Sequence, residues 1–250
     1  MASSGATQEK TPEWVTVLTT LPTRPLPPNT ARTPLTTERL NIRPLAADDV
    51  AALHELRTQP EVMLNMKTGR IDESIDVTRV HLAPFLAPND VITFQWAICL
   101  RASSDNKLIG IGGCRPQRGQ FGWPDVGYMF NSAYWGQGYA TEFVRGFLQL
   151  YAALPRTPAP VSLQVPRSIL PDDWDNDAAD PANPVVVEEK LTAIVPDHNA
   201  GSQAVLRKAG FEEFALIVEP DLRDLNQLIK LHLFQAFPGR IAKSSLAERA

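Results

Sequence analysis

The most regular hydrophobic pattern in the chain lies between residues 125 and 151. A short apolar segment, Asp125 to Phe130, predicts a β-strand, and two glycines follow it at Gly136 and Gly138. Beyond them, apolar residues recur at the spacing of one helix face, namely at Ala140, Phe143, Val144, Phe147, Leu148 and Tyr151. The pattern therefore predicts a strand, a tight loop and an amphipathic helix, in that order.

The glycine loop suggests a site for an anion. Glycines let the backbone run close to a ligand, and the first N–H groups of a helix have no partner within the helix. A phosphate-bearing ligand is the first hypothesis, and a turn that only connects strand to helix is the alternative. A dinucleotide fingerprint would place a third glycine where Thr141 stands, and no Gly-Lys-Ser/Thr follows as in a Walker loop.

A second segment of the same kind begins near residue 191. Leu191 to Val195 predicts a buried strand, and Pro196 to Ser202 leads into a short helix over residues 203–209. Gly210 stands where a helix commonly stops. The order is again strand, loop and helix.

Together the two segments resemble the GNAT superfamily of acyl-CoA-dependent N-acyltransferases, and most closely its branch of ribosomal-protein N-terminal acetyltransferases. In that branch the phosphate loop commonly reads Tyr-Trp-Gly-x-Gly-Tyr-Ala-Thr-Glu, as at residues 134–142. The second motif is matched by Asn199, Ser202, Lys208, Gly210 and Phe211. Thr37 to Leu45 resembles the first strand of the family and Asp48 to Val62 its first helix. The resemblance covers roughly residues 35–154 and 190–236.

The resemblance implies an α/β (α+β) fold, with a mixed, mostly antiparallel sheet of about seven strands that is splayed at the acyl-CoA site and flanked by helices. The pattern adds a helix over Ile71 to Leu86 and a hairpin of Val91 to Leu100 with Leu108 to Cys114. It predicts two final strands, Phe211 to Val218 and Leu228 to Phe234. Glycines at positions 110, 112 and 113 suggest a bulge or a close neighbour in the second hairpin strand.

The chain is divided into three parts by composition and resemblance. Residues 1–34 form a proline-rich extension without a core of its own, whose apolar residues 14–18 either dock on the domain or are mobile. Residues 35–238 form a single acyltransferase domain, and residues 239–250 a tail. An insertion at about 155–189 carries the acidic run Asp172 to Asp177, with Trp174 inside it, and Asp180. This run is either a solvated surface or a flap that favours cationic substrates.

Composition excludes several other classes of protein. The net charge of −4 over 250 residues gives no support to nucleic-acid binding. No apolar run approaches the roughly 18–20 residues of a membrane span, and the N-terminus lacks the apolar core of a signal peptide. Cys99 and Cys114 are interpreted as buried thiols, which favours a cytoplasmic location. The histidines have no metal-ligand spacing, so no metal is expected.

The resemblance also assigns the cofactor site. Met129 and Phe130 are expected beside the pantetheine and thioester of acetyl-CoA, the co-substrate. The loop amides are expected to hold the pyrophosphate, with the residues Trp135, Gly136, Gln137, Gly138, Tyr139, Ala140 and Thr141. Asn199 is expected to bond the pantetheine amides, or else to be a turn residue. Trp135 departs from the Gln or Arg usual in the family.

Two residues are candidates for catalysis. An amine must lose a proton before it attacks, and Asp125 occupies the position where the family usually has Glu, so it is either the base, acting through a water, or a turn residue after Pro124. Ser202 is the candidate acid for the departing thiolate, and its competing role is the N-cap of the 202–209 helix.

The expected activity is acetyl transfer from acetyl-CoA to a primary amine, either a small molecule or a protein N-terminus, by direct attack through a tetrahedral intermediate. One alternative is a catalytically inactive acyl-CoA-binding or regulatory protein of the same fold. Another is a nucleotide site of an oxidoreductase, which NAD(P) would protect and CoA would not. The acceptor, the acyl chain preference and the oligomeric state are not encoded in these patterns.

Overall fold

The computed structural model describes residues 13–67, 69–103, 106–115, 119–170 and 185–240. The strands within these ranges are β1 (Trp14–Thr19), β2 (Leu35–Thr36), β3 (Leu40–Pro44), β4 (Phe94–Leu100), β5 (Leu108–Arg115), β6 (Asp125–Phe130), β7 (Val161–Pro166), β8 (Val185–Val186), β9 (Leu191–Pro196), β10 (Glu212–Asp221) and β11 (Asp224–Ala236). The α-helices are α1 (Val50–Arg57), α2 (Pro60–Met63), α3 (Ile75–Leu82), α4 (Tyr139–Ala152) and α5 (Ala200–Lys208).

Eight of the strands form one sheet, in the order β10-β11-β9-β6-β5-β4-β3-β2. Every neighbouring pair in it is antiparallel except β6 and β9, which run parallel. The predicted mixed, mostly antiparallel sheet is thus confirmed, with eight strands where about seven were expected.

The helices cover both faces of this sheet, because its strands alternate apolar side chains between two cores. On one face α4 and α5 pack in a core that includes Phe94, Trp96 and Phe143. On the other face α1, α2 and α3 pack in a core that includes Ala97 and Cys99. Strands β5, β6 and β9 lie in the middle of the sheet, between these two layers of helices.

The predicted first helix, Asp48 to Val62, is broken into two. Helix α1 ends at Arg57, and α2 begins with Pro60 as its first residue. Proline has no N–H to donate to the preceding turn and disfavours helical backbone in the residue before it, and Gln59 is indeed extended at φ −82° and ψ 114°. After the break, α2 buries Val62 and Met63.

The predicted helix from Ile71 to Leu86 is also shorter than expected. Helix α3 begins after Ser74, whose hydroxyl accepts a hydrogen bond from the amide of Val77 at 3.4 Å. A 3₁₀ turn at Ala83–Phe85, which contains a proline, follows its end. The predicted strand from Val91 begins only at Phe94, because Asn89–Ile92 form another 3₁₀ turn.

The extension contributes a strand that the hydrophobic pattern does not predict. Strand β1 pairs antiparallel with β7 and parallel with β8, in a separate three-stranded sheet. Val17 in its centre is fully buried and packs in a cluster with Trp123 and Leu233, so the apolar residues 14–18 are docked rather than mobile. Docking on the domain is thus the alternative that the structure shows for these residues, and the three-part division of the chain stays a prediction.

The region 155–189 is structured at both of its ends, through β7 and β8. The acidic run of Asp172 to Asp177, with Asp180, lies outside the described residues, as do residues 241–250 of the tail. Cys99 and Cys114 are free and buried, as predicted. Burial raises the pKa of Cys99 to about 11 and that of Cys114 still further, which favours the protonated thiol in both residues at neutral pH.

Candidate active site

Strands β6 and β9 are neighbours in the sheet, but they pair at a single position. The parallel register joins only Asp125 to Thr192, and beyond this point the described parts of the strands separate. The gap opens into a cavity of about 360 Å³ between the end of β6, the glycine loop and the start of α5. The cavity is lined by Val62, Asn65, Met66, Tyr128, Met129, Phe130, Tyr134, Trp135, Gly136, Gly138, Tyr139, Ala140, Thr141, Asn199, Gly201, Ser202, Ala204, Val205 and Lys208.

The glycine loop has the backbone that an anion site requires. Gly136 and Gly138 have φ values of +74° and +84°, which side-chain-bearing residues rarely adopt, and Gly138 is the N-cap of α4. The amides of residues 136–141 make no hydrogen bond to any acceptor in the described part of the chain. They lie at the N-terminus of a 14-residue helix, whose dipole adds positive potential.

An ion pair holds the loop from outside the cavity. The Glu142 carboxylate on α4 accepts hydrogen bonds from Thr37 Oγ1, the Arg39 amide and Arg39 Nε at 2.6, 2.8 and 2.7 Å. Arg39 Nη1 in turn donates to the carbonyl of Gln137 at 2.8 Å, and its guanidinium lies 4.5 Å from the centre of the Tyr139 ring. Burial alone would raise the pKa of Glu142, but these hydrogen bonds lower it. The loop is therefore held in shape by protein groups before any ligand binds.

Trp135 connects the same loop to the splayed strand. Its indole Nε1 donates to the carbonyl of Phe130 at 2.8 Å, while the Gln137 side chain donates to the carbonyl of Ala133 at 2.9 Å. The carbonyl of Phe130 is thus bound by a side chain, since β5 pairs with this part of β6 on one side but β9 does not pair with it on the other. Trp135 thus has a structural role, because its indole binds the Phe130 carbonyl.

The start of α5 differs from the expectation for Ser202. The N-cap is Asn199, because α5 begins at Ala200, and the Asn199 side chain accepts a hydrogen bond from the Ser202 amide at 3.0 Å. The suggestion that Ser202 caps the helix is therefore wrong. Asn199 has a structural role here, and the Ser202 hydroxyl, one turn into the helix, is not needed for capping.

Tyr128 connects β6 to the start of α5. Its hydroxyl donates to the carbonyl of Ser202 at 3.4 Å, and its ring packs edge-on against Phe130 and Phe143. Burial raises the pKa of Tyr128 to about 12, with the hydrogen bond to Ser202 opposing the shift. The phenol thus remains protonated and is a hydrogen-bond donor beside the cavity.

Two further cavities adjoin the first. One of about 590 Å³ shares Asn65, Met66, Tyr128, Met129, Asn199 and Ser202 with it. Another of about 480 Å³ contains Asp125. It shares Asn65 and Met66, in the loop after α2, with both other cavities, and it also shares Ile194 and Pro196 of β9 with the 590 Å³ cavity. The 360 and 590 Å³ cavities therefore meet at Tyr128, Met129 and Ser202. A group that enters through the 590 Å³ cavity reaches a ligand in the 360 Å³ cavity at this junction.

Asp125 sits at the point where β6 and β9 part. Its carboxylate accepts hydrogen bonds from Thr192 Oγ1 and from the amide of Gln120, the latter at 2.7 Å. Burial raises the pKa of Asp125, against the opposing effects of these two hydrogen bonds and of the Lys67 charge. A carboxylate with a raised pKa can accept a proton nearer to neutral pH.

The structure brings together most of the residues expected at the site. All the predicted cofactor residues except Gln137 line the 360 Å³ cavity, and Gln137 contributes backbone to the same loop. Asp125 is the exception among the catalytic candidates, since it lines the adjoining cavity. Sequence reasoning did not single out Tyr128 or the 65–66 loop, although Tyr128 stands in the same strand as the predicted Met129 and could have been found from it.

The match to known proteins identifies the family. The family model for the acetyltransferase (GNAT) domain matches residues 39–212, so the chain belongs to this family of acetyltransferases. Among the curated proteins, none matches the sequence significantly.

Solved structures show the same fold. A probable GNAT-family acetyltransferase from Chromobacterium violaceum is 19% identical with a TM-score of 0.57, covering 86% of this chain and 89% of its own. Spermidine N-acetyltransferase from Vibrio cholerae, in complex with CoA and spermine, is 13% identical with a TM-score of 0.56, covering 82% and 99%. Ribosomal-protein-S5-alanine acetyltransferase from Vibrio fischeri is 14% identical with a TM-score of 0.54, covering 83% and 97%. The small-amine and the ribosomal-protein enzymes are thus similar to this chain to the same degree.

The described residues contain no group of three or more His, Cys, Asp or Glu side chains that could hold a metal ion. No helix among them is long and apolar enough to cross a membrane.

Proposed function

We propose that this protein transfers an acetyl group from acetyl-CoA to a primary amine, by direct attack of the amine on the thioester. The observation that carries the proposal is the coincidence of two features in one cavity. The gap leaves β6 without a β9 partner at Met129 and Phe130, and the glycine loop of residues 136–141, whose amides are unbonded, borders the same cavity. The first feature suits an extended pantetheine chain, and the second suits a pyrophosphate.

The residues present fit acetyl-CoA as the co-substrate. Gly136 has open space around the position of a β-carbon, so a ligand can approach its backbone. Lys208 lines the same cavity and offers a positive charge for a phosphate. Acetyl-CoA supplies an activated acyl group, so the protein needs to position the reactants, take up a proton and stabilise an oxyanion.

Asp125 is the proposed acceptor of the amine proton. An amine with a pKa of about 10.4 costs roughly 4–5 kcal/mol to deprotonate at neutral pH, whereas an α-amine near 8 costs about 1.4 kcal/mol. Because Asp125 lies in the adjoining cavity, four residues along β6 from Met129, the proton reaches it through a chain of several water molecules in this proposal. Its raised pKa supports the role, and its bonds to Thr192 and Gln120 hold it in place.

Ser202 and Tyr128 are the proposed hydrogen-bond donors on the opposite side of the reaction centre. Both line the two cavities that meet there. The amine nitrogen forms the new amide bond, the C–S bond breaks, and the CoA sulfur leaves as a thiolate. A thiolate with a pKa near 8.5 needs only a hydrogen bond or a proton from a weak acid, which Ser202 supplies in this proposal.

The acceptor is proposed to be a small-molecule amine or a protein N-terminus. A cytoplasmic location remains the expectation from the sequence, with the free buried thiols in keeping with a reducing compartment.

Two measurements test the proposed function. CoA and acetyl-CoA are expected to raise the melting temperature of the protein, and NAD(P) is expected to leave it unchanged, because the loop lacks the third glycine of a dinucleotide site. Thiol release from acetyl-CoA is then followed with a panel of amines. Binding of acetyl-CoA without turnover on any amine would favour a regulatory acyl-CoA-binding protein, and protection by NAD(P) alone would overturn the proposal.

A further inference from the structure

The cavity through which an acceptor reaches the reaction centre is basic. The walls of the 590 Å³ cavity include Arg57, His81 and Arg115, but no Asp or Glu among the described residues. The rest of the lining is largely apolar, with Val80, Pro84, Phe85, Ile111, Val126 and Ile194. Polyamines and other polycations would thus meet positive charge and apolar surface there.

Arg115 is the charge in this cavity that lacks a counter-ion. Arg57 forms a bidentate ion pair with Asp72, at 2.7 and 3.0 Å, and also contacts His81, so its charge is already compensated. The Arg115 side chain makes no hydrogen bond or ion pair with any residue that the structure describes. Its register partner on β6 is Asp125, but that carboxylate bonds Thr192 and the Gln120 amide instead.

An open trough connects Arg115 to the reaction centre. On this face of the sheet, Asp125, Gly127 and Met129 follow one another along β6, and nothing lies within 4 Å of the β-carbon position of Gly127. Met129 pairs with Ile111, four residues from Arg115, which corresponds to a distance of roughly 13 Å along the strand. The long arginine side chain can extend into part of that distance, and the rest can hold the body of a small acceptor.

We propose that the acceptor is an amine that also carries a carboxylate, with an apolar body between them, and that Arg115 binds the carboxylate. The inference rests on the proposed function, because it places the amine at the junction between Tyr128, Met129 and Ser202. An arginine fork pairs with a carboxylate through two charge-assisted hydrogen bonds, which gives both affinity and orientation. The separation between Arg115 and the junction favours several bonds between amine and carboxylate over an α-amino acid.

The test compares three probes of equal chain length: ε-aminocaproate, n-hexylamine and hexamethylenediamine. Their binding is measured by calorimetry, with the protein alone and saturated with CoA, so the result does not depend on turnover. ε-Aminocaproate is expected to bind at least about tenfold more tightly than either amine, and Arg115→Gln is expected to remove this preference. Arg115→Lys should retain part of it, because the charge remains but the fork is lost.

The controls separate this inference from a loss of fold or of the proposed function. Arg79→Gln removes an exposed arginine of α3 that pairs with Asp76 away from the cavity, and it should leave the preference unchanged. Gly127→Leu should weaken all three probes by filling the trough, since the site around its β-carbon is open. Equal or tighter binding of the diamine, or a carboxylate preference that survives in Arg115→Gln, would overturn the inference. A protein that does not bind CoA but keeps the preference would refute only the proposed function.

Discussion

Asp125 is the residue for which position and protonation matter most. Two hydrogen bonds to its carboxylate hold Asp125 in place, as does its backbone position, where the described residues of β6 and β9 pair, and burial raises its pKa. As a base it works in its ionised form, so activity should fall as the pH decreases through that raised pKa, at a higher pH than for an ordinary aspartate.

Asp125→Asn is therefore expected to lower kcat by about 100-fold and to remove this acidic limb from the pH profile of kcat, while the KM for acetyl-CoA stays nearly constant. Steady-state rates measured across a range of pH values check both parts. Asp221→Asn is the matched control, because Asp221 lines the same cavity but is paired with Arg223. A kcat that drops equally in the two variants would argue against a specific role for Asp125.

The start of α5 shows how far single residues could be predicted. The sequence places Asn199 and Ser202 at the helix start, and both residue types are good caps. Which of them caps depends on where the chain turns into the helix, and the Asn199 side chain bonds the amide three residues on. Residue type alone could not decide this, so the site was predicted but the role of its members was not.

At the scale of elements, a buried ion pair fastens α1 to α3 beside the acceptor cavity. Asp72 accepts hydrogen bonds from Arg57 on α1, and from Thr78 and His81 on α3. Burial alone would raise the pKa of Asp72, but these hydrogen bonds lower it to about 2. A carboxylate with a depressed pKa in the folded state stabilises the fold above its unfolded pKa, and the contribution is lost as the pH falls through the folded value.

Asp72→Asn is expected to cost about 2 kcal/mol of unfolding free energy at pH 7, and the difference from the wild type should shrink as the pH is lowered from about 4 to 2. Urea denaturation at several pH values measures it. Asp76→Asn, in the first turn of α3 and with an exposed pair to Arg79, should cost at most about 0.5 kcal/mol. A pH-independent difference for Asp72→Asn would show that packing, rather than ionisation, is responsible.

Elements with strong local patterns were the ones that the sequence predicted best. Strand β6 has the predicted bounds, Asp125–Phe130, since it is short, apolar and followed by the glycine loop. The close neighbours expected for the glycines of β5 are present: a β-carbon on Gly112 would lie 2.5 Å from Phe143. The broken helix over residues 48–62 was not predicted, because its apolar periodicity continues across Pro60 although the backbone does not.

At the scale of the whole molecule, the features that the sequence did not predict are strand pairs between residues far apart in the chain. Strand β1 pairs with β7 and β8, about 145 and 170 residues further along the chain, and no local pattern in a proline-rich segment indicates these partners. Their sheet packs through Trp123 and Leu233 on the β9–β11 side of the main sheet. The extension thus packs against strands of the main sheet, so we expect a mutation in β1 to lower the unfolding free energy of the whole domain.

Val17→Ala tests this coupling, because Val17 is fully buried in the centre of β1. The loss of two methyl groups from a packed site should cost about 2 kcal/mol. If the extension and the domain unfold together, circular dichroism and the loss of acetyl-CoA binding should follow a single unfolding transition as denaturant is added. In Val17→Ala the midpoints measured by the two probes should move to lower denaturant concentration by the same amount. The control is Thr20→Ala at an exposed position just after the strand, which should stay within about 0.5 kcal/mol of the wild type. Two separate transitions, with only the first moved by Val17→Ala, would instead mean that the three-stranded sheet unfolds independently of the acetyl-CoA site.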